Sequence, residues 1–345
     1  MTTRNERPED DGAGTSESFA ALSVEARRVF EWIRERRRIL VLTHERPDGD
    51  ALGSLYGTVA ALRSAGFSAD GRMEVQLPRR YLSLFPRLSS IVAASKGPLP
   101  DDLDGILCLD VSVRDRVWPA DVLQGVSVCN VDHHRDNDGF GTVNWVDPSA
   151  AAVAEMLTLL FSAAGWMTPA AADCLLSGLL TDTGGLRFPN TTARALRTVA
   201  RLCEQGARYA QVMDALFFQE PMERRRLEAH LIETAVSSCG GKFLYAILDP
   251  DDVERRGLRP ADLEGLIDVL RSVEGVHVAC LIQPGNEAVR LSLRARSAET
   301  PVDGIAHKLG GGGHRLAAGA RIPDADTDAA IESVLQLAQE VINGK

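Results

Sequence analysis

Apolar side chains recur at helical spacing between Ser18 and Arg37, where Phe19, Leu22, Val29, Phe30 and Ile33 can share one face. The pattern then shortens. Arg38-Ile-Leu-Val-Leu-Thr43 is a nearly continuous apolar run, as expected of a strand buried on both sides. A polar turn follows, His44-Glu-Arg-Pro-Asp48-Gly-Asp50, and then a helix from Ala51 to Ala65. Strand and polar turn return twice more: Asp104–Leu109 ends at Asp110, and Val126–Val131 ends at Asp132. Helical spacings fill the middle, at 150–164, 169–180, 192–205 and 209–218. Residues 222–234 are charged with a thin apolar stripe, which suits a connector. Beyond Lys242 the texture changes again. Phe243–Leu248 is strand-like and 260–272 helical; 276–283 and 288–296 flank the hairpin signal Pro284-Gly-Asn-Glu287; a final helix is expected near 326–342. Short apolar strands between helices predict an α/β fold with a parallel sheet covered on both faces.

The composition narrows the possibilities. Of 345 residues 45% are hydrophobic but only 5% aromatic, so aliphatic side chains and alanine must fill the core. The formal net charge of −10 argues against coating a long nucleic acid, which needs a broad basic surface. It leaves room for a small anion held by a few focused positive groups or by cations. No run approaches the roughly 20 apolar residues of a membrane span, and the N-terminal residues lack the apolar core of a signal peptide. A cytoplasmic protein with a disordered tail at 1–18 is the expectation. The six cysteines form no CxxC pair, so reduced thiols are expected rather than a zinc site.

The informative residues stand where the strands end. In open α/β sheets ligands bind beyond the carboxyl ends of the strands. Asp48 and Asp50, Asp110, and Asp132 with His133 and His134 would therefore converge, and Asp182 follows another apolar run in Thr-Asp182-Thr-Gly-Gly. Taken singly, each reads as an ordinary turn or cap residue. Taken together they are a set of carboxylates that cannot share a crevice without cations to neutralise them. Four of these five aspartates, with His44 and His133, are enough donors for two divalent ions.

These segments carry a family resemblance. His44-Glu-Arg-Pro-Asp48-Gly-Asp50-Ala-Leu-Gly-Ser54 resembles motif I of the DHH phosphoesterases, Leu109-Asp110-Val-Ser motif II, Asn130-Val-Asp132-His133-His134 motif III, and Gly178-Leu-Leu-Thr-Asp182-Thr-Gly184 motif IV. Gly310-Gly-Gly-Gly-His314-Arg-Leu-Ala-Ala-Gly319 resembles the signature of the associated DHHA1 domain, with Leu316 where an Asn is common. The resemblance implies a parallel-sheet DHH catalytic domain at 19–215, a helical connector at 216–230 and a smaller α/β DHHA1 domain at 231–345. It implies two divalent ions, manganese by family habit, one on His44 and Asp48, the other on Asp50, His133 and Asp182, with Asp110 bridging. Asp132 would orient a histidine and His134 would face the phosphate, which makes Asp110, Asp132 and His134 the candidate catalytic residues. In the second domain Arg294, Arg296, Gly312, Gly313, His314 and Arg315 would grip substrate. The alternation of Val289, Leu291, Leu293 and Ala295 with Arg290, Ser292, Arg294 and Arg296 fits such a strand.

The order and spacing of the motifs suit the branch that cleaves very short oligoribonucleotides to 5′-mononucleotides and 3′-phosphoadenosine 5′-phosphate to AMP. Other readings remain at this stage. A cyclic di-AMP or pApA phosphodiesterase would share every metal ligand. A pyrophosphatase of the same superfamily would lack the glycine-rich segment, and a binding protein that had lost catalysis would have broken the donor set. Short RNA or dinucleotides are the expected partners, with no membrane and with a homodimer as the family's common state.

Overall fold

The computed structural model describes residues 19–344 apart from 75, 76, 78, 86–91, 94–99, 264 and 325; the tail expected at 1–18 lies outside them. The chain divides into two compact units between Gln219 and Glu220.

In the first unit the apolar runs form a parallel sheet. Its strands are β1 (Arg38–His44), β2 (Ser68–Arg72), β3 (Val92–Ala93), β4 (Gly105–Leu109), β6 (Ser127–Asp132) and β7 (Val143–Val146), while β5 (Val117–Trp118) pairs antiparallel with the end of β1. The order β3-β2-β1-β4-β6-β7 reverses direction between β1 and β4. That reversal opens a crevice beyond their carboxyl ends. Leu40, Leu42, Ile106 and Cys108 pack into one core cluster, and Ile39, Val41, Leu107 and Leu109 into another, so the alternation along each strand is buried on both faces.

Helices Gly49–Ser64 and Pro169–Asp182 cross at close range. A Cβ on Gly53 would lie 2.5 Å from the Cys174 carbonyl oxygen, so glycine is required where the two backbones meet. Alanine and leucine do most of the filling: Ala150 to Ala154, Leu157, Leu175, Leu176 and Leu179 are all buried. Helix Val153–Ala164 begins three residues later than the apolar spacing predicted, because 147–152 forms a turn held by side chains described below.

The second unit is a six-stranded sheet of order β12-β13-β11-β10-β9-β8. Its strands are β8 (Val236–Ser238), β9 (Phe243–Ile247), β10 (Val278–Gln283), β11 (Ala288–Ala295), β12 (Gly312–His314) and β13 (Ala317–Pro323). Helix Met222–Thr234 starts this unit and seats Leu227 and Leu231 in its core beside Leu244 and Ala246. The continuous helix expected at 260–272 is broken into a 3₁₀ turn, Pro260–Leu263, and a short α-helix, Asp268–Arg271. Gly265 lies between them at φ +73°, outside the helical range.

All six cysteines are free. Cys108, Cys129, Cys174 and Cys280 are buried, whereas Cys203 is exposed. Among the described residues no helix is long and apolar enough to cross a membrane.

Candidate metal centre

Each acidic or imidazole side chain of the first unit is placed by a different element ending at the crevice. β1 delivers His44, whose Nδ1 lies 2.7 Å from the Glu45 carbonyl oxygen, turning Nε2 toward Asp110 Oδ2 at 3.9 Å. Asp48 caps the Gly49–Ser64 helix, its Oδ1 accepting from the Asp50 and Ala51 amides, both at 3.1 Å. Asp50, in the first turn of that helix, is buried. It accepts from the Val153 amide at 2.6 Å, the Ala154 amide at 3.0 Å and Ser54 Oγ at 3.2 Å. It thus sits at the positive N-terminus of a second helix.

β4 delivers Asp110, buried and at φ +58°. A non-glycine residue held in the left-handed region stores strain that the surrounding structure must hold in place. Here the Asp110 amide donates to the Val131 carbonyl at 3.0 Å. β6 delivers Asp132, fully buried. Its Oδ1 accepts from the His133 amide at 2.9 Å and faces His134 Nδ1 at 2.7 Å, and its Oδ2 accepts from Asn137 Nδ2 at 2.6 Å. His133 places Nδ1 3.3 Å from the Ala150 carbonyl oxygen and Nε2 3.6 Å from Asp110 Oδ1 and 3.7 Å from Asp182 Oδ2. Asp182 ends the Pro169–Asp182 helix.

The donor atoms fall into sets. His44, Asp48 and Asp110 form one; Asp50, His133 and Asp182 a second; Asp110, Asp132 and His134 a third; within each set all donor atoms lie within 4.8 Å of one another. Asp110 also reaches the second set through His133, so it lies between the first two.

The electrostatics call for cations. Burial pushes the Asp110 carboxyl well above the usual carboxylate range, and Asp48, Asp50, Asp132 and Asp182 push it further. Burial raises Asp50 as well, against the pull of His133. Asp182 is pushed up to about 7, chiefly by burial, against the pull of His133 and with Asp50 and Asp48 adding to the rise. Asp132 shows the opposite balance: burial raises it, but its bonds to His134 and Asn137 bring it below the ordinary value. His134 is raised, burial being outweighed by Asp132. Among the described residues nothing donates a hydrogen bond to the buried Asp110 Oδ1. A buried carboxylate oxygen with no donor, between two sets of imidazoles and carboxylates, fits a shared ligand of divalent ions.

The second unit places its own candidates by strand register. Arg294 and His314 each pair with Ala317, and Ser292 and Gly312 each pair with Gly319. Directly paired residues share a face. Arg294 and His314 therefore stand on one side of the sheet, two strand spacings or roughly 9–10 Å apart at the backbone, over a floor of small residues. Arg296 is used differently. Its Nε donates to the Val276 carbonyl at 2.6 Å and its Nη2 to Val273 at 2.7 Å and Arg271 at 3.1 Å. Arg315 is exposed and donates to the Ala298 carbonyl at 2.9 Å. The glycines also divide. A Cβ on Gly313 (φ +134°) would lie 2.7 Å from the Ala317 carbonyl oxygen, whereas one on Gly312 would meet only His307, at 3.6 Å. Gly313 is needed for strand pairing, and Gly312 is the one with room in front of it. Leu316 packs against the core of this unit, and its carbonyl accepts from the Ala295 amide.

Sequence reasoning did not pick out Asn137, Glu155, Asn190 or Arg194, all of which hold site segments in place. The available signal was Glu155, a lone acid within the apolar run Ala-Val-Ala-Glu-Met-Leu.

Comparison with known proteins agrees with this architecture. Residues 38–179 match the DHH family, N-terminal domain, and residues 240–344 the DHHA1 domain. The chain belongs to the DHH family of phosphoesterases. It is 36% identical over 304 residues to the bifunctional oligoribonuclease and PAP phosphatase NrnA of Thermus thermophilus, spanning 88% of this chain and 89% of that protein. It is 27% identical to the NrnA of Bacillus subtilis, over 82% of this chain and 89% of that protein. An exopolyphosphatase-related protein from Bacteroides fragilis shares the fold at a TM-score of 0.81 and 20% identity, covering 92% of this chain and 97% of that one.

Proposed function

We propose that this protein is a divalent-metal-dependent phosphodiesterase that hydrolyses very short oligoribonucleotides to 5′-mononucleotides and removes the 3′-phosphate of 3′-phosphoadenosine 5′-phosphate. The observation that carries the reading is the shared position of Asp110 between His44–Asp48 and Asp50–His133–Asp182. The relatives named for both activities, similar over most of the chain, support the substrate class. One ion is assigned to His44 and Asp48, the other to Asp50, His133 and Asp182, with Asp110 common to both and manganese as the expected metal. When bound, such ions supply Lewis acidity: they make a water nucleophilic at neutral pH and offset the charge growing on the phosphoryl oxygens.

The chain's own groups do the positioning. Asp132 holds His134 by Nδ1, so Nε2 is the atom it offers to a phosphoryl oxygen. Asn137 holds Asp132 in turn. In the second unit Arg294 and His314 are assigned to the phosphate beyond the scissile one, with Gly312 allowing close approach. Arg315, exposed and bonded to the Ala298 carbonyl, is assigned to the same part of the substrate. Arg296, occupied by three carbonyls, supports it.

The test is a product profile with Mn²⁺ on pApA, cyclic di-AMP, 3′-phosphoadenosine 5′-phosphate, a 24-mer RNA and single-stranded DNA. AMP from pApA and from 3′-phosphoadenosine 5′-phosphate, with the 24-mer far slower, is expected. Preferential turnover of cyclic di-AMP, or equal cleavage of the 24-mer per end, would overturn the assignment.

A further inference from the structure

The segment 147–154 bears on all three residues of the second set: directly on His133 and Asp50, and on Asp182 through Asn190. Its Ala150 carbonyl meets His133 Nδ1 at 3.3 Å. Its Val153 and Ala154 amides bind Asp50. Its Ala151 carbonyl accepts from Asn190 Nδ2 at 3.1 Å, and the same nitrogen lies 3.1 Å from the Asp182 carbonyl. His44 and Asp48 take their bonds from their own neighbourhood instead.

One arginine holds this segment at both ends. Arg194 lies in the first turn of helix Ala193–Glu204. Its Nη1 donates to Asp147 Oδ2 at 2.7 Å, and its Nε lies 2.9 Å from Glu155 Oε1. Asp147 Oδ1 then accepts from the Ser149 amide at 3.0 Å and hydroxyl at 2.6 Å, while Glu155 Oε2 accepts from the Ala151 amide at 2.6 Å. Glu155 is fully buried. A buried carboxylate kept in an alanine-rich core needs a cation and donors to be tolerated, and removing the cation alone leaves an uncompensated charge that its surroundings must rearrange to relieve.

We propose that Arg194 and Glu155, together with Asn190, are positioning residues for the second metal. They fix 147–152 so that Ala150 takes the His133 Nδ1–H and Nε2 is presented to the ion, while Asp50 and Asp182 are held at the matching distance. This rests on reading Asp50, His133 and Asp182 as a metal site. An outer partner that fixes a histidine's tautomer and ring orientation typically contributes ten- to a hundredfold in metal affinity.

The network reaches the second set and bypasses the first, so its loss should be selective. Metal-free wild type and Arg194→Ala are titrated with Mn²⁺ by calorimetry, with free ion counted by electron paramagnetic resonance and folding followed by circular dichroism. Two ions in wild type are expected. In the variant, one should bind with unchanged affinity and the other about ten- to a hundredfold more weakly. Arg194→Lys, which keeps the charge, should restore part of the loss. Wild-type affinities at both sites in folded Arg194→Ala, or equal weakening of both, would show that the network serves only the fold and overturn the proposal. Should Arg194→Ala fail to fold, Asn190→Ala decides: it removes only the tie between Ala151 and Asp182, and unchanged binding of both ions overturns the proposal as well. A wild type that binds fewer than two ions would instead refute the two-ion reading, and this inference with it.

Discussion

Asp110 is buried, adopts φ +58° and stands among Asp48, Asp50, Asp132 and Asp182. A sequence states that these residues exist and follow strands; it does not state that one of them is forced into a left-handed backbone or that an oxygen is left without a donor. The charge density has a measurable consequence in the metal-free protein. Asp182 is raised from an ordinary 3.8 to about 7, burial being the main cause. Below pH 4 the group is protonated in folded and unfolded chains alike. Between roughly pH 4 and 7 the unfolded chain gives up that proton and the folded one keeps it, so stability falls as pH rises through this window and levels off above it. Asp182→Asn removes the group that titrates. Thermal melts in excess chelator should therefore show a gap, Asp182→Asn minus wild type, that widens from pH 4 to 7 and is constant above. Parallel curves would mean that Asp182 is not held protonated. Added Mn²⁺ should reverse the order, stabilising wild type more than the variant, since binding to the folded state alone adds stability.

At the scale of elements, the strands that ended in acidic residues were legible because a buried parallel strand is a continuous apolar run. β2 was not, because Ser68-Ala-Asp-Gly-Arg72 is polar and its strand state comes from pairing with β1. The break at Gly265 was hidden in an apolar spacing that one glycine interrupts. Nor does a sequence show which helices touch. Gly53 reads as an unremarkable glycine in a helix, yet its missing Cβ is what lets Gly49–Ser64 meet Pro169–Asp182. The Cys174 carbonyl oxygen lies 2.5 Å and the Gly178 nitrogen 2.6 Å from where that Cβ would be. Those neighbours are backbone and cannot swing aside. Gly53→Ala gains about 1 kcal/mol of helix propensity and must separate two helices that carry Asp50 and Asp182. Overpacking of this kind costs roughly 1–3 kcal/mol or more, so a net loss is expected. A lower midpoint in urea and a weaker second Mn²⁺ are the expected readings; an unchanged or raised midpoint would show that the crossing yields easily.

For the whole molecule, the two units divide the chemistry unequally. The candidate metal ligands are in the first, while Arg294 and His314 stand over a small-residue floor in the second, in a chain whose net charge is −10. A compact basic patch in an acidic protein suits a substrate with very few phosphates. If the first unit carries out the reaction and the second only holds the remainder of the substrate, substitutions in the two must differ in their dependence on substrate. On the proposed assignment, His314→Ala or Arg294→Ala should remove a charge-assisted contact to phosphate, a loss of about 1.5–3 kcal/mol, or roughly ten- to a hundredfold in kcat/KM for pApA. The same variants should barely change hydrolysis of a small activated phosphodiester, which has no second nucleotide to hold. Asp182→Ala should impair both substrates alike. If binding energy from the second nucleotide also assembles the site, kcat for pApA will fall along with kcat/KM in His314→Ala. The quantity to compare is the ratio of kcat/KM for the two substrates in each variant. It should drop in His314→Ala and hold steady in Asp182→Ala. An unchanged ratio in His314→Ala would mean that the glycine-rich strand β12 matters only for folding the second unit, and the division of labour argued here would fail.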